Sequence, residues 1–481
     1  MTARHLEVRR GSYRDSVRLM QISQALQGVA GVSAALVAMA TPLNLELAAD
    51  MGFSPPDAVP DDMVVAVTAI DDRALAAALA KLETELQATP ATASGSTEVP
   101  PRSAGSAVRR SQAGVVLVST PGRYAFLDAL DALDAGACVM VFSDNVSVAE
   151  EVALKDRAAE RGLLVMGPDC GTAVVGGVGL GFANVVRPGP VGLVAASGTG
   201  AQHVLSLLDA AGVGVTHCLG VGGRDLSPAV AGRSTLAALD ALDADPATEL
   251  IVVVSKPPAP EVAERVRVHA ATLATPVVFA LLGLDQPDLT EAVTGVLRRL
   301  DRPVPAWPVW HPAWRPMPRG PALRGLFVGG TLCDEAMVVA SATLGPIRSN
   351  IPLRPQWTLG SGTGRGHAMV DYGDDALTQG RPHPMIDGSI RLDALVTEAT
   401  DPDCGVLLID VVLGHGADPD PAHRLGPAIA AARTPVVVSL TGTTGDPQGL
   451  RRQAETLCRA GATVFLSNAE AARFAVGLIC Q

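Results

Sequence analysis

The residues of this chain that could do chemistry lie in glycine-rich turns, each between a strand-like apolar run and a helix-like pattern. Four such turns are Ser197–Gly200, Gly220–Asp225, Gly329–Cys333 and Asp387–Ser389. In open parallel sheets, ligands bind beyond the carboxyl ends of the strands, where glycine lets a ligand approach the backbone. The following helix presents free N–H groups and the positive end of its dipole. The turns therefore predict sites for a phosphoryl or carboxylate group, although each is also compatible with a plain turn.

The residues that we assign to substrate or phosphate binding are small, carry a hydroxyl or carry a cation. They are Ser197, Gly198, Thr199, Gly222, Gly223, Arg224, Gly388 and Ser389. The planar guanidinium of Arg224 suits a carboxylate or a phosphate. Cys170, in the motif GPDCGT after a predicted strand, joins this set because it could be exposed in a cleft. A nucleophilic role for its thiol would need a basic partner, and the sequence indicates none.

The candidate catalytic residues are two histidines, His367 in GRGHAMVD and His383 in GRPHPMID. Both lie in Gly/Pro-rich loops of the last segment, and loops of this kind cap parallel strands and carry function. The alternative for each is a hydrogen bond that stabilises its own loop. His203 and His269 lie on predicted helices, where a structural role is expected. No histidines have metal-ligand spacing, so no metal site is predicted.

Composition excludes several classes of function. The chain has 481 residues, 48% of them apolar, and a net charge of −12, which argues against a nucleic-acid partner. Its three lysines are Lys81, Lys155 and Lys256, and none is followed by Ser or Thr, so no Walker A loop exists. The seven cysteines are scattered without a CxxC pair, which is typical of a reduced intracellular protein.

The chain is expected to be cytoplasmic and without a membrane partner. Its start, MTARHLEVRRGSYRDS, lacks the apolar core of a secretory signal. Its longest apolar runs have the length of a strand and fall short of the roughly 18 residues that span a bilayer.

The elements that position these turns follow a strand–helix alternation, which predicts an α/β protein with parallel sheets. We divide it into a domain at 1–166 with a linker at 88–112, a domain at 167–300, a Pro/Trp-rich connector at 301–321, and a domain at 322–481. A faint repeat supports this division. Asp245-Pro246, an apolar strand, a helix and the motif TPVV recur from Asp401-Pro402 onward, which predicts two similar doubly wound domains.

Several motifs occur in an order that resembles the α-subunit of succinyl-CoA synthetase: GPDCGT at 167–172, VGLVAASGTG at 191–200 and LGVGGRDL at 219–226. GHAMVD at 366–371 and VLLIDVVLGHGA at 406–417 are similar to the C-terminal ligase domain of the β-subunit. The resemblance implies an N-terminal Rossmann-like, CoA-binding-type domain followed by two flavodoxin-like domains of the succinyl-CoA-ligase type.

Over nearly the whole chain, the motifs GSYRDSVRLM, GGTLCDEA, GRPHPMID and DVVLGHGADPDPA resemble those of the FdrA family, a group similar to acyl-CoA synthetases. Three departures from succinyl-CoA synthetase are visible. The loop after the strand Val277–Leu281 lacks the phosphate-carrying histidine, GSYRDS at 11–16 stands where a Gly-rich phosphate loop is expected, and no ATP-grasp domain is present. CoA is therefore a possible ligand, although the chain lacks the phosphate loop that would bind it, and no cofactor is certain.

What the resemblance leaves is a phosphate site at which two helix N-termini meet, carried over as Ser197-Gly198-Thr199 and Gly388-Ser389. It implies a subunit of an acyl or carbamoyl transferase of the oxamate carbamoyltransferase type, with phosphate or carbamoyl phosphate as substrate. One alternative is a subunit of an NDP-forming acyl-CoA synthetase whose ATP-grasp part is on another chain. The other is a non-catalytic scaffold. All three imply companion subunits in a homo- or hetero-oligomer.

Overall fold

The computed structural model describes residues 3–12, 14, 16–54, 56–87, 101–360, 366–378 and 383–481. These residues form two compact units, one up to Arg102 and one from Ser103 onward. Within the same ranges, no helix combines the length and the apolar character that a bilayer span requires.

The N-terminal unit is a small α/β sandwich. Its elements are β1 (Ala3–Arg9), α1 (Ser16–Gln27), β2 (Val32–Met39), α2 (Pro42–Asp50), β3 (Met63–Ala69) and α3 (Asp72–Gln87). β3 lies in the centre and pairs antiparallel with both β1 and β2. β1 and β2 are therefore parallel to each other, and α1 connects them, which makes a split βαβ arrangement. Leu19, Leu26 and Leu82 of the helices pack on Val65 and Val67 of β3.

This unit corrects the expectation of one Rossmann-like domain over residues 1–166. The periodicity predicts the helices and two of the strands where they occur, but their sheet is antiparallel and separate from the strands that follow Ser103. A strand–helix alternation is shared by parallel sheets and by split βαβ units, so it could not distinguish them. The loop GSYRDS follows β1 of this unit, so it cannot stand in for a phosphate loop of the Rossmann-like part.

The second unit begins with a three-stranded parallel sheet in the order β4-β5-β6. Its elements are α4 (Ala104–Ser111), β4 (Val115–Val118), α5 (Gly122–Asp134), β5 (Cys138–Val141), α6 (Val148–Glu160) and β6 (Val165–Met166). α4 corrects the predicted linker at 88–112. Residues 88–100 lie outside the described part, whereas Ser103 caps a helix there through a reciprocal hydrogen-bond pair with Ser106.

A six-stranded sheet follows. Its elements are β7 (Thr172–Val175), β8 (Val178–Gly181), β9 (Pro188–Ala196), α7 (Gly198–Ala210), β10 (Val215–Gly220), α8 (Arg233–Asp243), β11 (Leu250–Ser255), α9 (Pro260–Ala270), β12 (Val277–Leu281) and α10 (Leu289–Arg299). The order is β12-β11-β9-β10-β7-β8, in which β9 to β12 are parallel and the hairpin β7-β8 adds an antiparallel edge.

The last sheet also has six strands. Its elements are β13 (Val309–Trp310), β14 (Ala322–Phe327), α11 (Gly330–Leu344), β15 (Ala368–Asp371), α12 (Asp375–Thr378), α13 (Ser389–Glu398), β16 (Cys404–Val412), α14 (Pro421–Ala431), β17 (Val436–Thr441), α15 (Leu450–Arg459), β18 (Thr463–Phe465) and α16 (Asn468–Ile479). The order is β13-β18-β17-β16-β14-β15. β13 belongs to the Pro/Trp-rich connector and pairs antiparallel at the edge of the sheet, while Trp307 of the connector is buried.

Both large sheets are doubly wound, which confirms the flavodoxin-like prediction. The chain starts at β9 or β14, moves one strand to one side, then crosses back and continues on the other side. The direction therefore reverses between β9 and β11 in one sheet and between β14 and β16 in the other. A crevice opens at the carboxyl ends of the strands at such switch points, and ligands of doubly wound proteins bind there.

The two large sheets share one core. Leu205 and Leu208 of α7 belong to the same buried apolar cluster as Ile409 of β16 and Leu425 of α14. Polar groups complete this interface, because Asn184 Nδ2 donates to the Leu413 carbonyl at 3.0 Å and to Asp446 Oδ2 at 2.8 Å. The relation between α7 and the last sheet is therefore set by packing and not by a hinge.

A buried ion cluster ties the small parallel sheet to the first large one. Lys155 Nζ donates to Glu151 Oε1 at 2.7 Å, to Asp225 Oδ1 at 2.8 Å and to the Val221 carbonyl at 3.0 Å. The three charged side chains are almost fully buried. Removing one member of such a cluster leaves uncompensated charge in a medium of low dielectric constant.

We expect the substitution Lys155→Met to lower the free energy of unfolding of the second unit by about 3–5 kcal/mol, because two carboxylates lose their shared cation. The measurement is urea denaturation. The control is Arg157→Gln. Arg157 lies on α6 like Lys155, but its ion pair with Asp134 is exposed, so its loss should lower the free energy of unfolding by under about 1 kcal/mol. Equal effects of the two changes would contradict a structural role for the buried cluster.

Candidate functional site

The first switch point carries the turn Ser197-Gly198-Thr199 and Lys256. Ala196, the last residue of β9, pairs with Ser255, the last residue of β11. The turn and Lys256 therefore leave neighbouring strands at the same level, at the carboxyl edge. Apolar strands that end together bring the next residue of each to one crevice.

The turn begins α7 with its hydroxyl already in use. Ser197 is the N-cap of α7, and its Oγ accepts a hydrogen bond from Gly200 N at 3.0 Å. Ser197 is buried, whereas Gly198 and Thr199 are half-buried. The first N–H groups of a helix have no partner inside it, so those of Gly198 and Thr199 can bind a ligand.

The N-terminus of α11 meets the N-terminus of α7. Ser197 Oγ and Thr331 Oγ1 lie 2.5 Å apart and share a hydrogen bond across the two sheets. Thr199 packs so closely on Gly329 that a methyl group there would lie 2.9 Å from Thr199 Oγ1. Asp410 Oδ1 and Oδ2 accept the N–H groups of Val328 and Gly329, at 2.9 and 2.8 Å, and thereby hold the strand end that leads into α11. Two positive helix ends therefore face one crevice.

Lys256 and Asp371 enter the same crevice beside Gly330. A methyl group built on Gly330 would lie 2.7 Å from Lys256 Nζ and 2.6 Å from Asp371 Oδ2, so these two atoms are within about 5.3 Å of each other. Gly330 is half-buried and leaves this gap open. Ser197–Thr199, Gly329–Thr331, Lys256 and Asp371 are called the paired-helix site from here on.

Burial raises the pKa of two carboxyls at the paired-helix site. The pKa of Asp371 is raised to about 7, against the opposing effect of Lys256 and a hydrogen bond from Gly373 N at 2.9 Å. Burial also raises the pKa of Asp334, in the first turns of α11, to about 6. The charged form of a carboxyl loses solvation in such a place, which favours the neutral acid. Both groups therefore change charge near neutral pH, where an acid or a base is useful.

His383 is the predicted catalytic residue that the structure brings close to this site. Its Nδ1 accepts from Met385 N at 3.2 Å, and burial lowers its pKa to about 4, so the ring is neutral near pH 7. The proton then resides on Nε2. A methyl group on Gly373 would lie 2.9 Å from this Nε2 and 3.2 Å from Asp371 Oδ1. A neutral donor thus faces the Asp371–Gly373 turn.

His367 is not part of the site, which corrects its assignment as catalytic. It precedes β15 and so lies at the amino edge of the sheet, opposite to Asp371 at the end of that strand. Its Nδ1 accepts from Leu323 N at 3.1 Å, and burial lowers its pKa. His367 therefore has the loop-stabilising role that the sequence allowed as the alternative.

Cys170 is also removed from the candidate set. It is buried, its Sγ contacts the Thr172 carbonyl at 3.5 Å, and burial raises the pKa of its thiol to about 12. The burial of Cys333 likewise raises the pKa of its thiol. Burial therefore disfavours, for both thiols, the thiolate that nucleophilic catalysis requires.

The turn Gly222-Gly223-Arg224 is structural in large part. A methyl group on Gly222, whose φ is +89°, would lie 2.5 Å from the Pro168 carbonyl, so this position needs glycine for a close approach. Arg224 Nη2 donates to the Val146 carbonyl at 2.8 Å and pairs with Glu151 Oε2 at 2.9 Å. Its guanidinium therefore contacts α6, while the side chain remains exposed.

Gly388 and Ser389 do not join α7, which corrects the pairing expected from the resemblance. The hydrogen bond of Ser197 to Thr331 and the packing of Thr199 against Gly329 lie at the start of α11 instead. Gly388 lines a cavity at the second switch point together with Arg391 and Arg424, and Ser389 is exposed, with its N–H bonded to Asp387 Oδ1 at 3.1 Å. The turn that begins α11, Gly329-Gly330-Thr331, is the real partner.

The sequence motifs did not indicate Lys256, Asp334 or Asp371 as site residues. Lys256 had a usable signal, because it is one of three lysines and follows an apolar strand directly. Asp371 had none, because the short strand β15 has too few residues to show a period. Asp334 lies on a helix whose residues from Thr331 to Met337 are all buried, so no amphipathic pattern marks one face.

Known proteins resemble different parts of this chain. The family description "AllF, heavy metal-associated domain" matches residues 1–101, and "CoA-ligase" matches residues 326–478. The protein YahF of Escherichia coli (strain K12) is 36% identical over 511 aligned residues, which cover 98% of each chain. This chain belongs to the YahF family. The "CoA-ligase" match covers most of the last sheet of this YahF-family chain, including α11.

The succinate–CoA ligase [ADP-forming] subunit alpha 2 of Archaeoglobus fulgidus is 27% identical over 154 residues, which cover 31% of this chain and 52% of that subunit. Among solved structures, an acetyl-coenzyme A synthetase of Ca. Korarchaeum cryptofilum in complex with phosphate and ADP covers 76% of this chain and 82% of its own, at 16% identity and a TM-score of 0.26. The ATP citrate lyase of Methanothrix soehngenii covers 42% and 37%, at 18% identity and a TM-score of 0.33.

The residues of the N-terminal unit do not fit a soft heavy metal. Residues 1–101 contain no cysteine, and thiolates are the ligands that such metals prefer. Their one histidine, His5, bonds to Glu7 Oε2 at 3.4 Å. The match to residues 1–101 is therefore one of fold, the split βαβ arrangement, and does not extend to thiolate ligands for a heavy metal.

The raised pKa of Asp371 predicts how anion binding depends on pH. Below pH 7 the carboxyl is neutral, whereas above it the carboxylate repels an anion beside Gly330. We expect the affinity for sulfate, which does not titrate in this range, to fall by up to about tenfold per pH unit above pH 7. Asp371→Asn should remove most of this dependence and bind sulfate more tightly than the wild type at pH 8.

Isothermal titration calorimetry between pH 6 and 8.5 measures the sulfate affinity of the wild type and of the Asp371→Asn variant. The exposed Asp393→Asn is the matched control, and it should behave as the wild type. A sulfate affinity that rises with pH, or that falls equally in the Asp371 variant, would contradict the site.

Proposed function

We propose that this YahF-family chain is a subunit of a CoA-ligase-type enzyme that joins phosphate to, or removes it from, an activated acyl group at the paired-helix site. The observation that carries the proposal is the meeting of the α7 and α11 N-termini through Ser197 and Thr331. Each helix end contributes about 0.3–2 kcal/mol to the binding of an anion. The "CoA-ligase" match over residues 326–478 supports the same class of chemistry.

The step is a nucleophilic acyl substitution. A phosphate oxygen attacks the acyl carbon of a thioester, the C–S bond breaks, and CoA leaves as the thiol after it takes up a proton. The product is an acyl phosphate, a mixed carboxylic–phosphoric anhydride. In the reverse direction the thiol of CoA attacks the acyl phosphate and phosphate leaves.

The position of each residue at the paired-helix site indicates its role in this step. The free amides of Gly198, Thr199 and Gly330 would bind the phosphate oxygens, and Lys256 would balance their charge. The Nε2–H of His383 faces the Asp371 turn and would donate to the oxygen on which negative charge develops. Asp371, with its pKa raised to about 7, would accept or supply the proton.

The rest of the reaction belongs to other chains. The relatives that match in part are named as alpha subunits of succinate–CoA ligases, which supports a requirement for companion subunits. The lysine count leaves this chain without a Walker A loop, so a nucleotide would bind elsewhere. In the Rossmann-like part the first strand–helix turn is Ser119–Gly122, and CoA binding there is part of the proposal.

A second candidate is carbamoyl transfer, in which phosphate attacks oxalurate to give oxamate and carbamoyl phosphate. The observation that favours it is the loop after β12, where Leu282–Gln286 contain no histidine to carry a phosphoryl group. Phosphate would then react as a free anion and not as a phosphoryl group carried on a histidine of the enzyme. The chemistry at the acyl carbon is the same in both candidates, so the acyl donor decides between them.

The test uses the complex captured by an affinity tag on this chain in its source organism. It is incubated with inorganic phosphate and either succinyl-CoA or oxalurate, and ³¹P NMR detects the acyl phosphate or carbamoyl phosphate. Gly330→Ala should lower the rate at least about tenfold, because its methyl group fills the gap between Lys256 and Asp371. Lys256→Met should do the same by removing the cation.

Gly295→Ala is the matched control, since a methyl group at that position of α10 meets nothing within 4 Å. A complex that produces neither phosphate product from any donor, or one that keeps full activity with both site variants, would favour the scaffold and contradict the proposal.

A further inference from the structure

We propose that the cavity at the second switch point binds a short-chain carboxylic acid or the acyl group derived from it. The inference names the substrate class for the proposed function and rests on it. The cavity is open to solvent and lies where β14 and β16 end. Val328 follows β14, and Val411 and Val412 end β16. This is the crevice in which doubly wound sheets bind ligands.

The walls of this cavity, called the switch-point cavity, are largely apolar. Met385, Val411, Val412 and Leu425 line it, with two prolines. Such a lining favours a ligand with a hydrocarbon part, because apolar surface leaves water on binding. A bare inorganic ion would leave most of this lining without a partner.

Arg391 supplies the polar end. It is 5% exposed, lines the cavity, and donates through Nη1 to Asp410 Oδ1 at 3.0 Å. Its Nε is buried and has no hydrogen-bond partner among the described residues. A buried N–H without a partner is unfavourable, so the protein gains stability when a ligand oxygen accepts from it.

The N-terminus of α13 points to the same place. Gly388 is its N-cap, offers no side-chain cap and lines the cavity. The N–H of Ser389 is bonded to Asp387 Oδ1. The other N–H groups of the first turn of this 10-residue helix have no partner inside the helix. The helix end and Arg391 Nε are two separate donors for one carboxylate.

The surrounding charges select a single negative charge. Arg391 is paired with Asp410, and Arg424 Nε pairs with Asp418 Oδ2 at 2.8 Å and lies 3.8 Å from Asp387 Oδ1 through its Nη1. Two guanidinium groups thus face three carboxylates. This excess of negative charge repels a dianion such as phosphate more strongly than a monocarboxylate, which would bind through hydrogen bonds and apolar contact.

The cavity adjoins the paired-helix site. Val328 lines the cavity and directly precedes Gly329, while Pro384 lines it and directly follows His383. A methyl group on Gly373 would touch both the Val328 carbonyl, at 2.5 Å, and His383 Nε2. A carboxylate or acyl group in the cavity would therefore have its reacting carbon on the side of the phosphate.

Propionate and sulfate, titrated calorimetrically into the full-length protein, test the inference. Propionate should bind saturably, and its affinity should fall at least about tenfold in Arg391→Lys, which keeps the charge beside Asp410 but loses Nε. Arg424→Gln, on a partly exposed side chain, should have a similar effect because it leaves Asp418 unpaired. Arg452→Gln removes a comparable pair with Asp420 away from the cavity and should bind as the wild type.

Sulfate separates this inference from the proposed function. Lys256→Met should lose sulfate affinity and keep propionate affinity, and Arg391→Lys should do the opposite. Absence of propionate binding, or a propionate affinity equal to that of the wild type in both arginine variants, would overturn the inference even if sulfate binds. Competition between sulfate and propionate would overturn it as well, because it would indicate one unselective anion site. If sulfate does not bind while propionate does, the proposed function fails and the carboxylate site stands.

Discussion

Two helix N-termini that face each other form an arrangement that the rest of the second unit has to stabilise. Each helix end has a partial positive charge, so α7 and α11 repel each other unless something negative lies nearby. The hydroxyl pair of Ser197 and Thr331 holds them together, and Asp410 anchors the strand end before α11. The core shared by the two large sheets keeps α7 in place. The crevice between the helix ends is therefore preorganised for an anion, because the energetic cost of bringing two positive helix ends together is already met when the protein folds.

The two large sheets use one plan for two different ligands. In each, the first and third strands end at a crevice, and the residues just past those ends decide what the crevice holds. In the first sheet they are Ser197 and Lys256, which are polar, and Lys256 is half-buried. In the second they are Val328 and the region after Val412, which are apolar. Phosphate chemistry and acyl recognition would thus occupy adjacent crevices, with Asp371 and His383 between them.

Much of this architecture could be predicted from the sequence, since long apolar strands with glycine turns mark doubly wound sheets. The repeat at Asp245 and Asp401 is real in the structure, because each motif leads into the third strand of its sheet. The choice of partner for α7 could not be predicted. Gly329-Gly330-Thr331 and Asp387-Gly388-Ser389 look alike as turns, and only the packing of one sheet on the other places the first of them against Thr199. Asp371 and Asp334 act through burial, which no local pattern encodes.

The most direct measurement is a crystal structure of the full chain soaked with selenate, whose selenium gives an anomalous signal. An anomalous peak is expected between the N-termini of α7 and α11, within hydrogen-bond reach of the amides of Thr199 and Gly330 and of Lys256 Nζ. A peak confined to the N-terminus of α13 would contradict anion binding at the paired-helix site. So would the absence of any peak from this crevice at a selenate concentration that saturates binding in solution.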